Sequence, residues 1–269
     1  MKKIGLIAGN RRFPFYFAEE AAKKGYEVVS VFIKEETEKE LEKKVSRFIW
    51  VSPGELGKLI RYFKDEGITE AVLAGQVKHR RLYQIRPDLR AVKLLLSLKN
   101  KKADSLLGAL TIELEKEGIR ILPSTLFLEN LLAEEKSYTG KLSREEEADV
   151  EFGFETALEL GRLDVGQTVA VKGGAVVAVE AMEGTDSCIR RAGEITKDFC
   201  IVKTAKPKQD LRFDVPVIGR STLAVIKESG GKTLALEAGK VLFFDREESI
   251  AFARKNRINI VGVKKNGKT

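Results

Sequence analysis

From Ile4 to Leu122, apolar runs of strand length alternate with amphipathic stretches of helix length, and this rhythm constrains the fold more than any other feature of the chain. Ile4–Ala8 reads as a strand, about Pro14–Lys24 as a helix and Glu27–Ile33 as a second strand, followed by a charged helix through Leu41. The strand Val45–Val51, the helix Glu55–Asp65 and the strand Ala71–Ala74 continue the series. Two helical stretches, Leu89–Leu98 and Ser105–Glu117, precede a fifth strand, Ile119–Leu122. The alternation predicts an α/β protein whose N-terminal part is a Rossmann-like parallel sheet with helices on both faces. Ligands of such sheets bind beyond the carboxyl ends of the strands. The loops Gly9–Phe13 and Gly75–Arg81 leave those ends and are candidate binding loops.

A charged stretch, Glu134–Glu147, interrupts the rhythm and sets the expected boundary between domains at 1–135 and 136–269. At 269 residues the chain is comfortable for two cores. The second half reads as mixed α/β. A helix runs to Leu160, and two alternating segments, Thr168–Val171 and Ala175–Val179, meet at Gly173-Gly174, a hairpin signal. No run has the length of a membrane span, and MKKIGLIAGN reads as a first strand rather than a signal peptide. Two cysteines, Cys188 and Cys200, are too few for a disulfide framework and fit a reducing cytoplasm.

Two segments concentrate charge where regular structure is poorly encoded. Val202–Gly219 (VKTAKPKQDLRFDVPVIG) sets Lys203, Lys206, Lys208 and Arg212 among Asp210 and Asp214, with Pro207 and Pro216 breaking any period. Such a loop suits a polyanion held beside an acid/base or metal-binding carboxylate, although a solvated charged loop has the same composition. Val179–Ser187 (VEAMEGTDS) carries Glu180, Glu183 and Asp186 where the second hairpin strand ends. Thr185 reads as the cap of a helix through Cys188, Ile189 and Ile195, with Asp186 in its first turn. Two carboxylates roughly 6 Å apart repel by about 2–3 kcal/mol at an effective dielectric near 20, so the cluster needs a counter-charge. A divalent cation or the lysines of the other segment would serve equally.

Other chemistries find no material. The net charge of +8 favours anionic partners, but aromatic residues make up 7% and no basic tail appears, so nucleic acid is not expected. Gly5 and Gly9 lack the spacing of a dinucleotide fingerprint. GVKKNGKT, Gly262–Thr269, matches a phosphate-loop pattern, yet no helix follows to supply the dipole, so the match is accidental. His79, the single histidine, sits among Lys78, Arg80 and Arg81 as a basic-loop residue and leaves nothing for a Ser-His triad. Any metal would have to be held by carboxylates and water, which favours Mg²⁺ or Mn²⁺ over Zn²⁺.

LDVGQTVAV (Leu163–Val171), VEAMEGTDS, the 202–219 segment and LEAGKVLFFD (Leu236–Asp245) occur in the order and spacing of one type of UDP-2,3-diacylglucosamine pyrophosphatase of the lipid A pathway. That type is unrelated to the calcineurin-like metallophosphatases doing the same job. GLIAGN with Phe13-Pro14, AGQVK and Arg86-Pro87-Asp88 extend the resemblance over nearly the whole chain. Asn10-Arg11-Arg12 and Ala103-Asp104 depart from the family pattern, which bears on the finer substrate contacts.

The resemblance implies Mg²⁺-dependent hydrolysis of UDP-2,3-diacylglucosamine to UMP and 2,3-diacylglucosamine 1-phosphate, two domains with substrate between them, and a cytoplasmic enzyme associated peripherally with the anionic inner-membrane surface. A homodimer is a further expectation. In that light Asp214 is the first choice for base or metal ligand. Asp210, Lys203, Lys206 and Arg212 complete the catalytic set, and Asp210, Glu183 and Asp186 join Asp214 as metal candidates. Gly9, Asn10, Gly75 and Lys78 in the first half are substrate-binding candidates. Gln167, Gly184, Thr185, Gln209 and Thr222 are their counterparts in the second, with Ser221 or Thr222 capping an anion-binding helix beside Arg220. A non-catalytic nucleotide-sugar or phospholipid binder, or a hydrolase of soluble nucleotides, would share the basic loops. Carboxylates set against a polyanion favour the enzyme.

Overall fold

The computed structural model describes residues 2–76, 87–98, 103–207, 209–212 and 214–264. Two compact units emerge. One comprises Met1–Glu129 with Asp210–Asp214, the other Asn130–Gln209 with Val215–Thr269.

In the N-terminal unit β1 (Lys2–Ala8), β2 (Tyr26–Ile33), β3 (Arg47–Val51), β4 (Glu70–Ala74) and β5 (Arg120–Ile121) form one parallel sheet in the order β3-β2-β1-β4-β5. Their near-continuous apolar sequences follow from burial on both faces. One face packs Phe15, Phe17 and Ala18 of α1 (Phe13–Lys23) on Ile4, Leu6 and Phe32. The other packs Leu59, Ile60 and Phe63 of α2 (Leu56–Asp65) on Ile7, Val29 and Val31, with Ala91 and Leu114 from α3 (Leu89–Ser97) and α4 (Ala103–Lys116). Pro14 starts α1 where its missing N–H is harmless. Asp88 caps α3 by accepting from Ala91 N at 2.8 Å. Chain order reverses between β1 and β4, which makes their carboxyl ends the switch point of the sheet. The charged helix expected through Leu41 is a 3₁₀ helix, Lys39–Lys44, in which Leu41 is the buried side chain, too little apolar surface to support an α-helix.

The C-terminal unit begins with α5 (Arg144–Arg162), whose first turn carries a reciprocal Ser143/Glu146 capping box. Its sheet runs β12 (Asn259–Val263), β10 (Thr233–Glu237), β8 (Cys200–Lys203), β6 (Thr168–Lys172), β7 (Ala175–Val179). The first three are parallel, and β6 is antiparallel to both neighbours. Gly173 and Gly174 turn the β6–β7 hairpin at φ 59° and 73°, a conformation other residues resist, and Asp149 of α5 accepts both their N–H groups. Helices α6 (Thr185–Ile195), α7 (Arg220–Ser229) and α8 (Arg246–Lys255) supply the core with Ile189, Leu223, Ile226 and Ala253, and β9 (Val217–Ile218) pairs with β11 (Leu242–Phe243) as a small parallel ribbon. None of the described helices is long and apolar enough to cross a membrane.

Candidate active site

At the switch point of the N-terminal sheet, the loops leaving β1 and β4 lie against each other. Asn10 N donates to Gln76 O at 2.8 Å, and Gly9 N donates to Ala74 O at 2.8 Å. A Cβ on Gly9 would stand 2.5 Å from Gln76 O, and one on Gly75, at φ 87°, 2.5 Å from Asn10 O. Only glycines permit this approach. Asn10 Nδ2 donates to Glu36 Oε2 at 2.6 Å, while the buried Oδ1 accepts no hydrogen bond within the described structure. Lys78, with His79, Arg80, Arg81, Arg86 and Lys208, lies outside the described residues.

Beside β4 the same unit takes in Asp210–Asp214. Ser124, fully buried just past β5, donates its N–H to Leu211 O at 2.7 Å. The Ser124 hydroxyl lies 2.5 Å from Leu73 O of β4 and 2.7 Å from Arg212 O. Asp214 N closes the segment by donating to Asp210 O at 3.0 Å, a single α-turn. Asp210 accepts from Arg212 Nε at 3.0 Å and Nη2 at 2.7 Å, and this guanidinium holds its carboxyl below the ordinary aspartate range. Arg212 Nη1 also pairs with Glu115 of α4 at 3.3 Å.

In the C-terminal unit the expected residues fall into two groups. Lys203, 3% exposed, donates to Thr185 Oγ1 at 2.6 Å, and Thr185 donates to Glu180 Oε1 at 2.8 Å. Burial alone would push the Glu180 carboxyl up. The Lys203 ammonium and the hydroxyls of Thr168 and Thr185 outweigh it and hold the group below its ordinary value. Glu180 Oε2 is buried and accepts no hydrogen bond within the described structure. The counter-charge to Glu180 is therefore a lysine, turned inward and not toward solvent. Glu183 pairs with Arg191 at 2.6 Å, and Asp186 occupies the first turn of α6. In the second group Lys206 Nζ meets Asp164 at 2.9 Å. Gln209 Oε1 accepts from Lys206 N at 2.9 Å, and its Nε2 lies 3.4 Å from Gln167 Oε1.

Two expected caps are corrected. Gly184, at φ 81°, occupies the cap position of α6, and the Thr185 hydroxyl is instead committed between Lys203 and Glu180. Gly219 caps α7 without any side-chain bond, leaving Thr222 buried in the first turn and Arg220 stacked 3.4 Å over the Phe252 ring. Ser124 and Glu115, which fix the Asp210–Asp214 segment, gave no signal in sequence, and Asp164, which holds Lys206, stands in the quoted LDVGQTVAV run without its role being legible there. Buried Glu237 accepts from Ala205 N at 2.8 Å, pinning the loop after β8; it stands in the quoted LEAGKVLFFD run, which marks the region but not the role.

Among the described residues no three His, Cys, Asp or Glu side chains converge as a metal-holding set. Asp210 is already bound by Arg212 and Glu183 by Arg191. The donor set does not fit an all-protein cage. It does fit a Mg²⁺ held by one or two carboxylates and the phosphates of a substrate, the usual manner for that ion.

A family model described as LpxI N-terminal domain matches residues 3–131, and one described as LpxI C-terminal domain matches 134–261. The UDP-2,3-diacylglucosamine pyrophosphatase LpxI of Caulobacter vibrioides is 31% identical over 277 aligned positions covering 98% of each chain. Among solved structures, N5-carboxyaminoimidazole ribonucleotide synthetase from Thermotoga maritima aligns at a TM-score of 0.26 and 19% identity, over 68% of this chain and 42% of that one. The Staphylococcus aureus enzyme of that kind aligns at 0.27 and 14%, over 74% and 46%. Likeness that low says nothing about function. Matches running through both halves and a full-length relative above 30% identity instead agree with the motifs, and the chain belongs to the LpxI family.

Proposed function

We propose that this protein hydrolyses the pyrophosphate bond of UDP-2,3-diacylglucosamine, giving UMP and 2,3-diacylglucosamine 1-phosphate, at the carboxyl edge of the N-terminal sheet. The full-length likeness to the Caulobacter pyrophosphatase supports the reaction class. The observation that carries the placement is the docking of Asp210–Asp214 at the end of β4 through Ser124. A pyrophosphate diester carries two negative charges, and cleavage moves charge onto the departing phosphate. Arg212, oriented by Asp210, stabilises that charge. Asp214, the second carboxylate of this docked segment, accepts the proton of the attacking water. The open carbonyl of Asn10 offers an acceptor to a substrate hydroxyl or N–H. Mg²⁺ carried on the phosphates and held by Asp214 would supply Lewis-acid polarisation and lower the pKa of the water. Association with the inner-membrane surface belongs to the same reading, because a diacyl substrate resides in a bilayer. Steady-state hydrolysis of synthetic UDP-2,3-diacylglucosamine by purified protein, with both products identified by mass spectrometry, tests it. Turnover of soluble nucleotides alone would replace it.

A further inference from the structure

Helix α3 turns an apolar stripe outward. Leu89 and Leu96 are 85% and 80% exposed and Val92 is 36% exposed, and their i, i+3, i+7 spacing puts them on one face. On α4, Ile112 is 56% exposed. A groove of about 560 Å³ lies between the two helices, with Leu89, Leu94, Ala109 and Ile112 along it. An exposed apolar surface of this kind calls for a partner. Its charges point to the kind: Arg90, Lys93 and Lys116 line the groove against a single carboxylate, Glu113. Arg90 and Lys116 both reach Glu113, and Arg90 also meets Glu117. Lys93 has no carboxylate partner among the described residues.

We infer that this face docks onto an anionic lipid surface, the leucine stripe entering the boundary between headgroups and acyl chains and Lys93 meeting lipid phosphates. The choice of lipid as partner rests on the diacyl substrate proposed above. Placement favours lipid too. The last turns of α4 carry both the groove residues Ile112 and Lys116 and the Glu115 that pairs with Arg212 at 3.3 Å. The docking face and the Asp210–Asp214 segment thus share one helix.

The test is co-sedimentation of the full chain with vesicles of phosphatidylethanolamine and phosphatidylglycerol, against phosphatidylcholine alone. Wild type should bind the anionic vesicles, more weakly as salt rises. The double variant Leu89→Glu/Leu96→Glu, shown folded by circular dichroism, should bind at least about tenfold more weakly, while Lys93→Glu should lose most of the salt dependence. Turnover of a short-chain, water-soluble substrate analogue should be unchanged in the double variant and reduced only with substrate embedded in vesicles. Wild type that fails to bind, or a double variant that binds as wild type does, overturns the inference. So does light scattering that shows a wild-type dimer and a monomeric double variant with vesicle binding intact, since the face would then join two copies. Vesicle binding through this face without hydrolysis of the diacyl substrate would instead sink the proposed function and leave the docking face standing.

Discussion

Asp210 grips Arg212 in a two-pronged pair, Nε 3.0 Å from Oδ1 and Nη2 2.7 Å from Oδ2. Paired donors fix a guanidinium in orientation as well as position. A carboxylate committed in this way is a poor base, so in the proposed reaction Asp210 is assigned the positioning of Arg212. Asp210→Asn should lower kcat about 10–100-fold with a smaller change in KM, since a slightly misplaced cation loses mostly transition-state stabilisation. Asp210→Glu should restore part of the loss, and Arg212→Lys should not, because an ammonium cannot form the fork. Near-normal kcat in Asp210→Asn would refute the positioning role.

Asp214 shares the turn but is assigned different work. Asp214→Asn should cut turnover by about 10²–10⁴ with folding retained, and a base at Asp214 predicts an acid limb in the wild-type kcat/KM profile that the variant lacks. The decisive comparison is that limb. If it persists in Asp214→Asn, the base lies elsewhere.

Mg²⁺ should behave as a companion of the substrate. No three-ligand set preforms among the described residues, so calorimetry of the protein with Mg²⁺ alone should show weak binding, and unfolding should be insensitive to chelator. Activity should nevertheless disappear in excess chelator and return with Mg²⁺ or Mn²⁺ better than with Zn²⁺. Full activity in chelator would leave the electrostatics to Arg212 and its neighbouring cations.

The layers of this fold were readable because its strands are apolar enough to be buried on both faces and its hairpin turns on Gly173-Gly174. The 3₁₀ segment at Lys39–Lys44 escaped, since a charged run with one buried leucine resembles a surface helix until packing is known. The 202–219 segment stood out as a candidate through its mixture of lysines, aspartates and prolines. The division of labour within it was not. Sequence spacing shows neither that Lys203 faces Thr185 and Glu180 in a buried network nor that Ser124, 88 positions from Arg212, anchors the loop carbonyls. Those are long-range pairings, and a local pattern carries no record of them.

The Lys203–Thr185–Glu180 network should behave as a buried charge pair. Glu180→Met removes the counter-charge and leaves a buried ammonium, which should destabilise the fold by about 3–5 kcal/mol in urea unfolding. Lys203→Met should cost a comparable amount, because Glu180 is then the uncompensated charge. The double variant Lys203→Met/Glu180→Met should recover much of the loss, giving a coupling of about 2 kcal/mol or more in a double-mutant cycle. Strict additivity would mean that the two charges do not depend on each other.

Glu146 ties the start of α5 to two strands and should govern acid stability. Its carboxylate accepts from Ser143 N at 2.8 Å, Thr233 Oγ1 at 2.7 Å and Asn259 Nδ2 at 2.9 Å. Burial would raise the carboxyl, but these donors win and push it down to about 2, from an ordinary 4.5. A folded-state value below the unfolded one means that the folded chain binds fewer protons, so stability rises with pH across that interval. The contribution is whole above about pH 4.5 and is lost as pH falls through about 2. Glu146→Gln should therefore have a lower urea midpoint than wild type at pH 7, and the gap should narrow steadily between pH 4.5 and pH 2 as wild type itself becomes protonated. A gap that stays constant over that range would show that the depressed carboxylate contributes nothing to the pH dependence, and that Glu146 acts through shape and capping alone.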